Sequence, residues 1–358
     1  MLPNNQITKM KRRHESERDN KELYELIKRK CWDDALELFQ PSHIGSLHEK
    51  NEQLLRRRLG SQEKYLTFEA VISKTQGKLC PSALSLCMKL IDVGGIDMLK
   101  SRGRNDNDYD YRYGSALHYI LLFDVVCLEI FNRIVEVGGI ELLLMVDRKS
   151  WTVLHHVVES GRTRWPRLDM IDKLLEIGGA ELVLITDDYE HTALHHALGL
   201  GCFQFDGMSP SLDIVNRLLA VGGRQLVMTS DSGLRQTVLH RICLNKRAQP
   251  NLEVVDRLLA VGGEPLIFMR DVHGNTLLHL ACFRSVLRDN DVRLIERLIE
   301  RGRKKLLLMT DDVNRTAMQI QLEMSFNSSQ EIIDRFVEVG GEELFLVRKR
   351  TAAGRNIF

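Results

Sequence analysis

The chain has 358 residues, of which 44% are apolar and 28% are charged, so it is long enough to bury a sizeable core. Fifty basic side chains oppose 49 acidic ones, and the net charge of +1 gives no overall attraction to nucleic acid or to an anionic membrane. The seven cysteines are widely spaced and none forms a C-x-x-C pair. This spacing argues against a disulfide framework or a cysteine-based zinc site and favours a reducing compartment.

The amino terminus is polar and basic. Residues 1–20 lack the apolar core of a secretory signal, and no apolar run approaches the roughly 20 residues that a membrane-spanning helix needs. We therefore expect a soluble, cytoplasmic protein with a disordered basic tail. The basic runs Lys9–His14 and Arg56–Arg58 leave nuclear import or an acidic partner open as alternatives to an ordinary solvated surface.

A block with two adjacent glycines recurs along the chain, for example as "IVEVGGIELLLMVD", "LLEIGGAELVLITD" and "LLAVGGEPLIFMRD". Successive blocks are separated by 44, 40, 44, 40, 40 and 38 residues. Such a regular period is typical of a repeat array, here with about seven repeats. The first glycines of the blocks are Gly94, Gly138, Gly178, Gly222, Gly262, Gly302 and Gly340.

A second motif follows the same period, in the forms "GSALHY", "WTVLHH", "HTALHH", "QTVLHR", "NTLLHL" and "RTAMQI". Two motifs that share one period support the repeat interpretation independently. The fifth residue of each form is a histidine in five repeats and a glutamine in the last: His118, His155, His195, His240, His279 and Gln319.

Each repeat is predicted to contain two helices and a projecting connection. The Thr or Ser before the motif can cap the first helix, and in "LDIVNRLLAVGG" the residues Ile214, Leu218 and Val221 share one helical face. A glycine then ends the helix. Because Arg303 replaces the second glycine of the sixth block, the first glycine is predicted to be the helix stop. The apolar run that follows predicts a further helical turn or a short strand.

The pattern D-x-x-x-x-T-x-L-H, followed by an amphipathic helix pair, resembles the ankyrin repeat. The resemblance implies an all-α helical repeat solenoid over residues 62–358, with residues 21–61 as a helical cap or degenerate first repeat and residues 1–20 as a tail. The chain departs from the family motif in two ways: the repeats are near 40 residues rather than about 33, and the motif proline is absent. Its place is taken by Ala116, Val153, Ala193, Val238, Leu277 and Ala317.

The resemblance also implies that the motif histidines are structural, because in the family this residue bonds the capping hydroxyl and nearby backbone. Consecutive histidines such as His195 and His196 point about 100° apart on a helix, and equivalent residues of stacked helices lie about 8–10 Å apart. A metal ion needs ligand atoms much closer than that. No metal and no cofactor are therefore expected.

The sequence carries no enzyme signature. Acidic pairs such as Asp187–Asp188 and Asp311–Asp312 fall at the turn position of the family, which favours turn capping over a carboxylate dyad. No phosphate-binding loop, nucleophile elbow or kinase motif is present. We therefore expect a non-catalytic scaffold or adaptor, monomeric, that binds protein partners and no small-molecule substrate, membrane or nucleic acid.

Partners of ankyrin-like proteins most often contact the turn tips and the adjoining helix, which places the binding site of this chain by position. Aromatic and arginine side chains suit the centre of such an interface. The predicted partner-binding residues are Arg112, Arg148, Lys149, Trp151, Asp188, Tyr189, His191, Arg235, His273, Asn275 and Arg315.

Other sites and functions stay open. The loops between the paired helices vary in length and contain Trp165, Phe203 and Phe205, so they form a second candidate surface, although simple drift in loop length is the favoured interpretation. The alternative functions are a regulatory subunit of an enzyme encoded elsewhere, or association with nucleic acid through the basic tail.

Overall fold

A computed structural model gives the architecture. The parts of the chain that it describes are residues 23, 25–27, 29–37, 71–72, 74–75, 79–100, 114–121, 127–160, 168–200, 211–245, 249–283, 289–324, 330–346, 349–350 and 356–357. The fold is the all-α helical repeat predicted from the sequence. Among the described residues, no helix combines the length and apolar character needed to cross a bilayer, and no disulfide joins the described cysteines.

Helices dominate the described chain. They are α1 (Trp32–Glu37), α2 (Pro81–Lys100), α3 (Ala116–Ile120), α4 (Leu128–Leu143), α5 (Val153–Ser160), α6 (Leu168–Leu184), α7 (Ala193–Ala197), α8 (Leu212–Met228), α9 (Val238–Leu244), α10 (Leu252–Ile267), α11 (Leu277–Cys282), α12 (Asp289–Leu307), α13 (Ala317–Met324), α14 (Gln330–Gly340) and α15 (Glu343–Leu346). Near the carboxyl end, β1 (Lys349–Arg350) pairs antiparallel with β2 (Asn356–Ile357).

The chain forms two compact parts. The first comprises residues 1–157 and 172–178, and the second comprises residues 158–171 and 179–358. Within the first part, α1 packs on α2, and α2 and α3 both pack on α4. The boundaries predicted for the amino-terminal helical cap, residues 21 and 61, lie outside the described residues.

The second part stacks its helices in two rows. The short motif helices α9, α11 and α13 form one row of neighbours, and the long helices α8, α10, α12 and α14 form the other. Apolar side chains from both rows are buried between them, including Leu218, Leu239, Leu258 and Leu278. Each repeat therefore buries its apolar face against the next repeat, as a stacked array requires.

The two glycines of each block have different roles, and the predicted assignment of the helix stop was wrong. The second glycine bends the chain: Gly223 has φ +52° and ψ −144°, a region that glycine enters far more easily than other residues. The first glycine provides space, because a Cβ atom on Gly222 would lie 2.6 Å from Cβ of Leu226. In the sixth block Arg303 adopts the bent conformation, with φ +50° and ψ −157°.

The apolar run after the glycines forms a further helical turn and then a single β-bridge. In the third repeat, Leu182 and Val183 are buried on that turn, and Thr186 pairs with Thr192 across the projecting connection. The bridge closes a narrow turn whose tip is Asp188 to Glu190. The same bridges link Val146 to Thr152, Ser230 to Thr237 and Thr310 to Thr316.

Candidate functional site

Three of the motif histidines, His118, His240 and His279, join adjacent repeats. His279 Nδ1 lies 2.7 Å from the hydroxyl of Thr276 and accepts the backbone N–H of Thr276 at 3.2 Å. Because Nδ1 accepts that N–H, the ring proton is on Nε2, which lies 3.1 Å from the carbonyl oxygen of Arg315 in the next repeat. His118 makes the equivalent link to the carbonyl of Trp151 at 3.0 Å, and His240 contacts a different carbonyl of the next repeat, that of Met269, at 3.3 Å. The structural role predicted for these histidines is confirmed.

Burial keeps the rings of His240 and His279 neutral. It lowers the pKa of His240 to about 4 and also lowers the pKa of His279. A neutral ring is what the contacts need, since protonation of Nδ1 would remove the acceptor for the backbone N–H of the capping threonine. In the sixth repeat Gln319 replaces the histidine, and its Oε1 accepts the N–H of Thr316 at 2.9 Å.

The turn aspartates hold the projecting connections together. Asp187 Oδ1 accepts the backbone N–H groups of Tyr189 at 2.9 Å and His191 at 2.8 Å. Asp147, Asp271 and Asp311 accept the corresponding pairs of N–H groups in their own turns. The prediction that these residues cap turns is confirmed.

The second oxygen of four turn aspartates accepts a hydrogen bond from a side chain at one of two positions. One position directly follows the motif histidine and the other directly precedes the capping threonine. The donors are His156 to Asp147 at 2.9 Å, His196 to Asp187 at 2.9 Å, Asn275 to Asp271 at 3.2 Å and Arg315 to Asp311 at 2.8 Å. In the fourth repeat Arg241 forms an ion pair with Asp231 at 3.6 Å, and Gln236 of that repeat donates to Asp271 of the next at 3.4 Å.

Adjacent turn tips in the second part are joined through their backbones. Val272 N–H donates to the carbonyl of Leu234 at 3.0 Å, and Asp312 N–H donates to that of His273 at 3.0 Å. Ser232 donates from its backbone and its hydroxyl to the carboxylate of Glu190. The tips therefore form one continuous, preorganised edge, which we call the tip surface (residues 188–190, 232–235, 272–273 and 312–313).

The predicted partner-binding residues divide by exposure. Tyr189 is 62% exposed, and Arg148, Asp188, Arg235 and His273 are also exposed. Lys149 and Arg315 are half-buried. Trp151, His191 and Asn275 are buried, so their side chains support the turns from inside instead of projecting from them. Sequence position identified the tips but did not separate the outward side chains from the inward ones.

Several predicted features lie outside the described residues. They are Arg112, the basic runs at residues 9–14 and 56–58, and the loop aromatics Trp165, Phe203 and Phe205.

The third repeat contains a buried polar cluster, formed by Asp187, His191, His196 and Glu159. His196 Nε2 lies 2.9 Å from Asp187 Oδ2, and its Nδ1 lies 3.3 Å from Glu159 Oε2. His191 Nδ1 lies 4.0 Å from Asp187 Oδ2, and the His191 ring stacks on that of His195 with centroids 5.2 Å apart.

The pKa values of the two imidazoles in this cluster are shifted in opposite directions. Burial opposes the charged form of His196, but hydrogen bonds to Asp187 and Glu159 outweigh it and raise the pKa of His196. The pKa of Asp187 falls to about 2, because the bonds from His196 and the backbone outweigh its own burial. Burial, together with the charge of Arg241, lowers the pKa of His191.

A cavity of about 550 Å³ adjoins the cluster, between the turn of the third repeat and that of the fourth. Its lining includes His191 of the cluster, Tyr189 and Leu234 of the tip surface, and the ion-paired Asp231 and Arg241. The cluster therefore has access to solvent through the side of His191.

Sequence reasoning missed this cluster. It compared His195 with His196, and each histidine with its equivalent in the next repeat, and found no close pair. The hydrogen-bond partners of His196 are the turn aspartate Asp187 and a residue of the preceding motif helix, Glu159, and the ring of the turn residue His191 lies nearby. The signal present in the sequence was that only "DDYEHTALHH" has histidine at both donor positions of a turn aspartate.

Comparisons with known proteins identify the fold. No protein-family profile matches the sequence, and no curated protein sequence matches it. The ankyrin repeat domain of Bcl-3, described as a unique member of the IkappaB protein family, is similar in structure with a TM-score of 0.51 and 19% identity, over 77% of this chain and 99% of that domain. The predatory endopeptidase Bd0816 of Bdellovibrio bacteriovorus, in complex with immunity protein Bd3460, matches at a TM-score of 0.39 and 19% identity, over 55% of this chain and 84% of that one.

The chain therefore has the ankyrin-repeat fold, as the sequence motifs predicted. Its repeats differ from the usual form in their length near 40 residues and in the absence of the motif proline.

Proposed function

We propose that this chain is a non-catalytic scaffold that binds a protein partner through the tip surface. The observation that carries the proposal is the continuous edge made by the turns of the second part. Backbone hydrogen bonds join the tips of the fourth, fifth and sixth repeats, and the Glu190 carboxylate joins the third tip to Ser232 of the fourth. A surface that is ordered before binding loses little conformational entropy when a partner docks, which favours affinity.

The chemistry of the tip surface suits a protein partner. Three apolar side chains project from it: Tyr189 is 62% exposed, Val313 is 49% exposed and Leu234 is 39% exposed. Exposed charges of both signs lie beside them, including Asp188 and Arg235. Apolar anchors bordered by mixed charges are typical of specific protein interfaces and are a poor match for the uniformly basic face that nucleic acid requires.

The proposal of a non-catalytic role is supported by what the polar residues do. The motif histidines, the capping threonines and the turn aspartates bond one another or the backbone, so they hold the repeats in place.

A capture experiment from native cell extract tests the proposal. The wild-type chain is compared with a tip variant (Tyr189→Ala, Arg235→Glu, Val313→Ala) and with a control variant (Leu322→Ala, Val337→Ala). The control removes apolar side chains that are 50% and 38% exposed on helices α13 and α14, away from the tips. Circular dichroism establishes that all three chains are folded.

We expect a partner that the wild type and the control capture and that the tip variant captures at least tenfold less, which corresponds to about 1.4 kcal/mol. A partner lost by the control and retained by the tip variant would move the site to the helices. Equal capture by all three chains would contradict the tip surface as the binding site.

The identity of a captured protein bears on the regulatory-subunit alternative, since an enzyme as partner would favour it. Binding through the basic tail instead predicts a steep loss of affinity for generic RNA or DNA as salt is raised. Cytoplasmic residence and a monomeric state are part of the same proposal.

A further inference from the structure

The third repeat has a histidine at both donor positions of its turn aspartate. The other described turn aspartates have at most one imidazole nearby: His156 on Asp147, Arg241 near Asp231, Asn275 and Gln236 on Asp271, and Arg315 on Asp311. In this repeat His196 already satisfies Asp187, yet a second histidine, His191, is buried at the other position. We propose that Asp187, His191 and His196 bind a divalent transition-metal ion of the zinc class.

The ligand atoms are close enough for one ion. The carboxylate oxygen of Asp187 and one nitrogen of each histidine all lie within 4.8 Å of one another. A tetrahedral ion with bonds of about 2.1 Å spaces its ligand atoms about 3.4 Å apart. The measured separations from Asp187 Oδ2, 2.9 Å to His196 Nε2 and 4.0 Å to His191 Nδ1, bracket that spacing. Side-chain adjustments of about an ångström therefore complete the site.

The surroundings hold these ligands in place. Glu159 Oε2 lies 3.3 Å from His196 Nδ1, which leaves Nε2 as the nitrogen directed at Asp187. A carboxylate behind a ligating histidine fixes the orientation of the ring and increases its basicity, and it is a common feature of zinc sites. Asp187 is held by two backbone N–H groups on its other oxygen, so its Oδ2 faces the imidazoles.

Charge and access favour a cation. Two carboxylates, Asp187 and Glu159, flank His196. The positive charge of Arg241, which lies 3.6 Å from Asp231, acts on His191 and opposes part of this attraction. A divalent ion would balance the two negative charges. The cavity beside His191 gives the ion a route from solvent and room for a water molecule as a further ligand.

The competing interpretation is that His196 alone, with or without a proton, completes the turn and that His191 only packs against His195. The two interpretations differ in what removal of His191 does to metal binding. The fourth repeat shows which side chains can replace these histidines in the same fold, because Gln236 stands at the position of His191 and Arg241 at that of His196.

The test uses the full-length chain, stripped of metal and titrated with Zn²⁺ by calorimetry and with Co²⁺ by its visible ligand-field absorption. The variants are His191→Gln and His196→Arg, which each remove a ligand, and the matched control is His273→Gln, which removes an exposed turn histidine outside the cluster. Circular dichroism establishes that each chain is folded. Two ligand variants are used so that the test remains valid if one of them does not fold.

We expect the wild type and the control to bind one ion per chain with the same affinity and the same Co²⁺ spectrum. Each ligand variant should bind at least tenfold more weakly and lose the visible absorption. The proposal is overturned if the wild type binds no stoichiometric ion, or if a folded ligand variant binds as tightly as the control.

Discussion

His279 Nε2 lies 3.1 Å from the carbonyl oxygen of Arg315, 36 residues further along the chain. This bond links the motif helix of one repeat to the turn of the next, and the same ring bonds the capping threonine of its own repeat. One neutral imidazole thus fixes a helix start, a turn and the stacking of two repeats. In a stacked array, stability depends on such nearest-neighbour contacts.

The buried histidines should make the protein sensitive to acid. The folded pKa of His240 is about 4 against an ordinary value of 6.5, so the unfolded chain binds more protons between these two values. The unfolding free energy therefore falls as the pH is lowered from about 6.5 to about 4, by about 3 kcal/mol from this residue. The charges of Asp231 and Asp271 oppose part of this effect.

His240→Gln tests this assignment, because Gln319 already fills the equivalent position in the sixth repeat. We expect the variant to lose less stability than the wild type between pH 6.5 and pH 4 in urea unfolding. Parallel curves for the two proteins would show that other groups cause the acid sensitivity.

Arg303 should be a source of strain. It has φ +50° and ψ −157° where the equivalent residue in the other repeats is glycine. Such a conformation costs a side-chain-bearing residue about 1–3 kcal/mol. Arg303→Gly should therefore raise the unfolding free energy by about 1 kcal/mol or more, after the entropy that glycine adds to the unfolded chain. The reverse change, Gly223→Arg, should be destabilising by a similar amount, and a stabilising effect of that change would contradict the explanation.

The first glycine of each block should not tolerate a methyl group. A Cβ atom on Gly262 would lie 2.5 Å from Cδ2 and 2.8 Å from Cβ of Leu266. Gly262→Ala should therefore cost about 1–3 kcal/mol in chemical denaturation, since overpacking forces the helix and leucine apart. Gly233→Ala is the matched control, because the nearest atom to its new methyl group is 3.8 Å away. Equal effects of the two changes would rule out the steric explanation.

The turn aspartates should matter more than exposed acidic neighbours. Asp271 Oδ1 accepts the backbone N–H groups of His273 and Asn275, each at 2.9 Å. Asp271→Ala leaves these donors without that acceptor and should lower the unfolding free energy by about 2–4 kcal/mol. Asp188→Ala, at an exposed tip, should cost less than about 1 kcal/mol. Similar thermal-denaturation shifts for both would contradict a special role for the turn residue.

The repeat period, the helix pairs and the turn positions were predictable because they depend on local chemistry. Threonine caps, apolar faces with helical spacing and turn aspartates depend on contacts between residues a few positions apart. These features can therefore be recognised in the sequence of each single repeat. The structural role of the motif histidines was also predictable from the motif. Their hydrogen bonds to the next repeat, such as that of His240 to Met269, became visible only in the stacked structure.

Other features depended on distances that the sequence does not contain. Which glycine bends the chain was decided by packing, since Gly222 lies against Leu226 while Gly223 takes the positive φ. Packing also determines which side chains of each turn face inward. Trp151 and His191 are buried, whereas Tyr189 is exposed.

The sequence by itself determined the class of fold, because a strict repeat of local signals permits one kind of stacked helical array. The tertiary structure alone decided the candidate sites. The tip surface depends on backbone bonds between turns about 40 residues apart, and the cluster of Asp187, His191 and His196 depends on a turn folding back over its own helix. Contacts of both kinds depend on how the chain packs, so they cannot be deduced from the period of the sequence repeat.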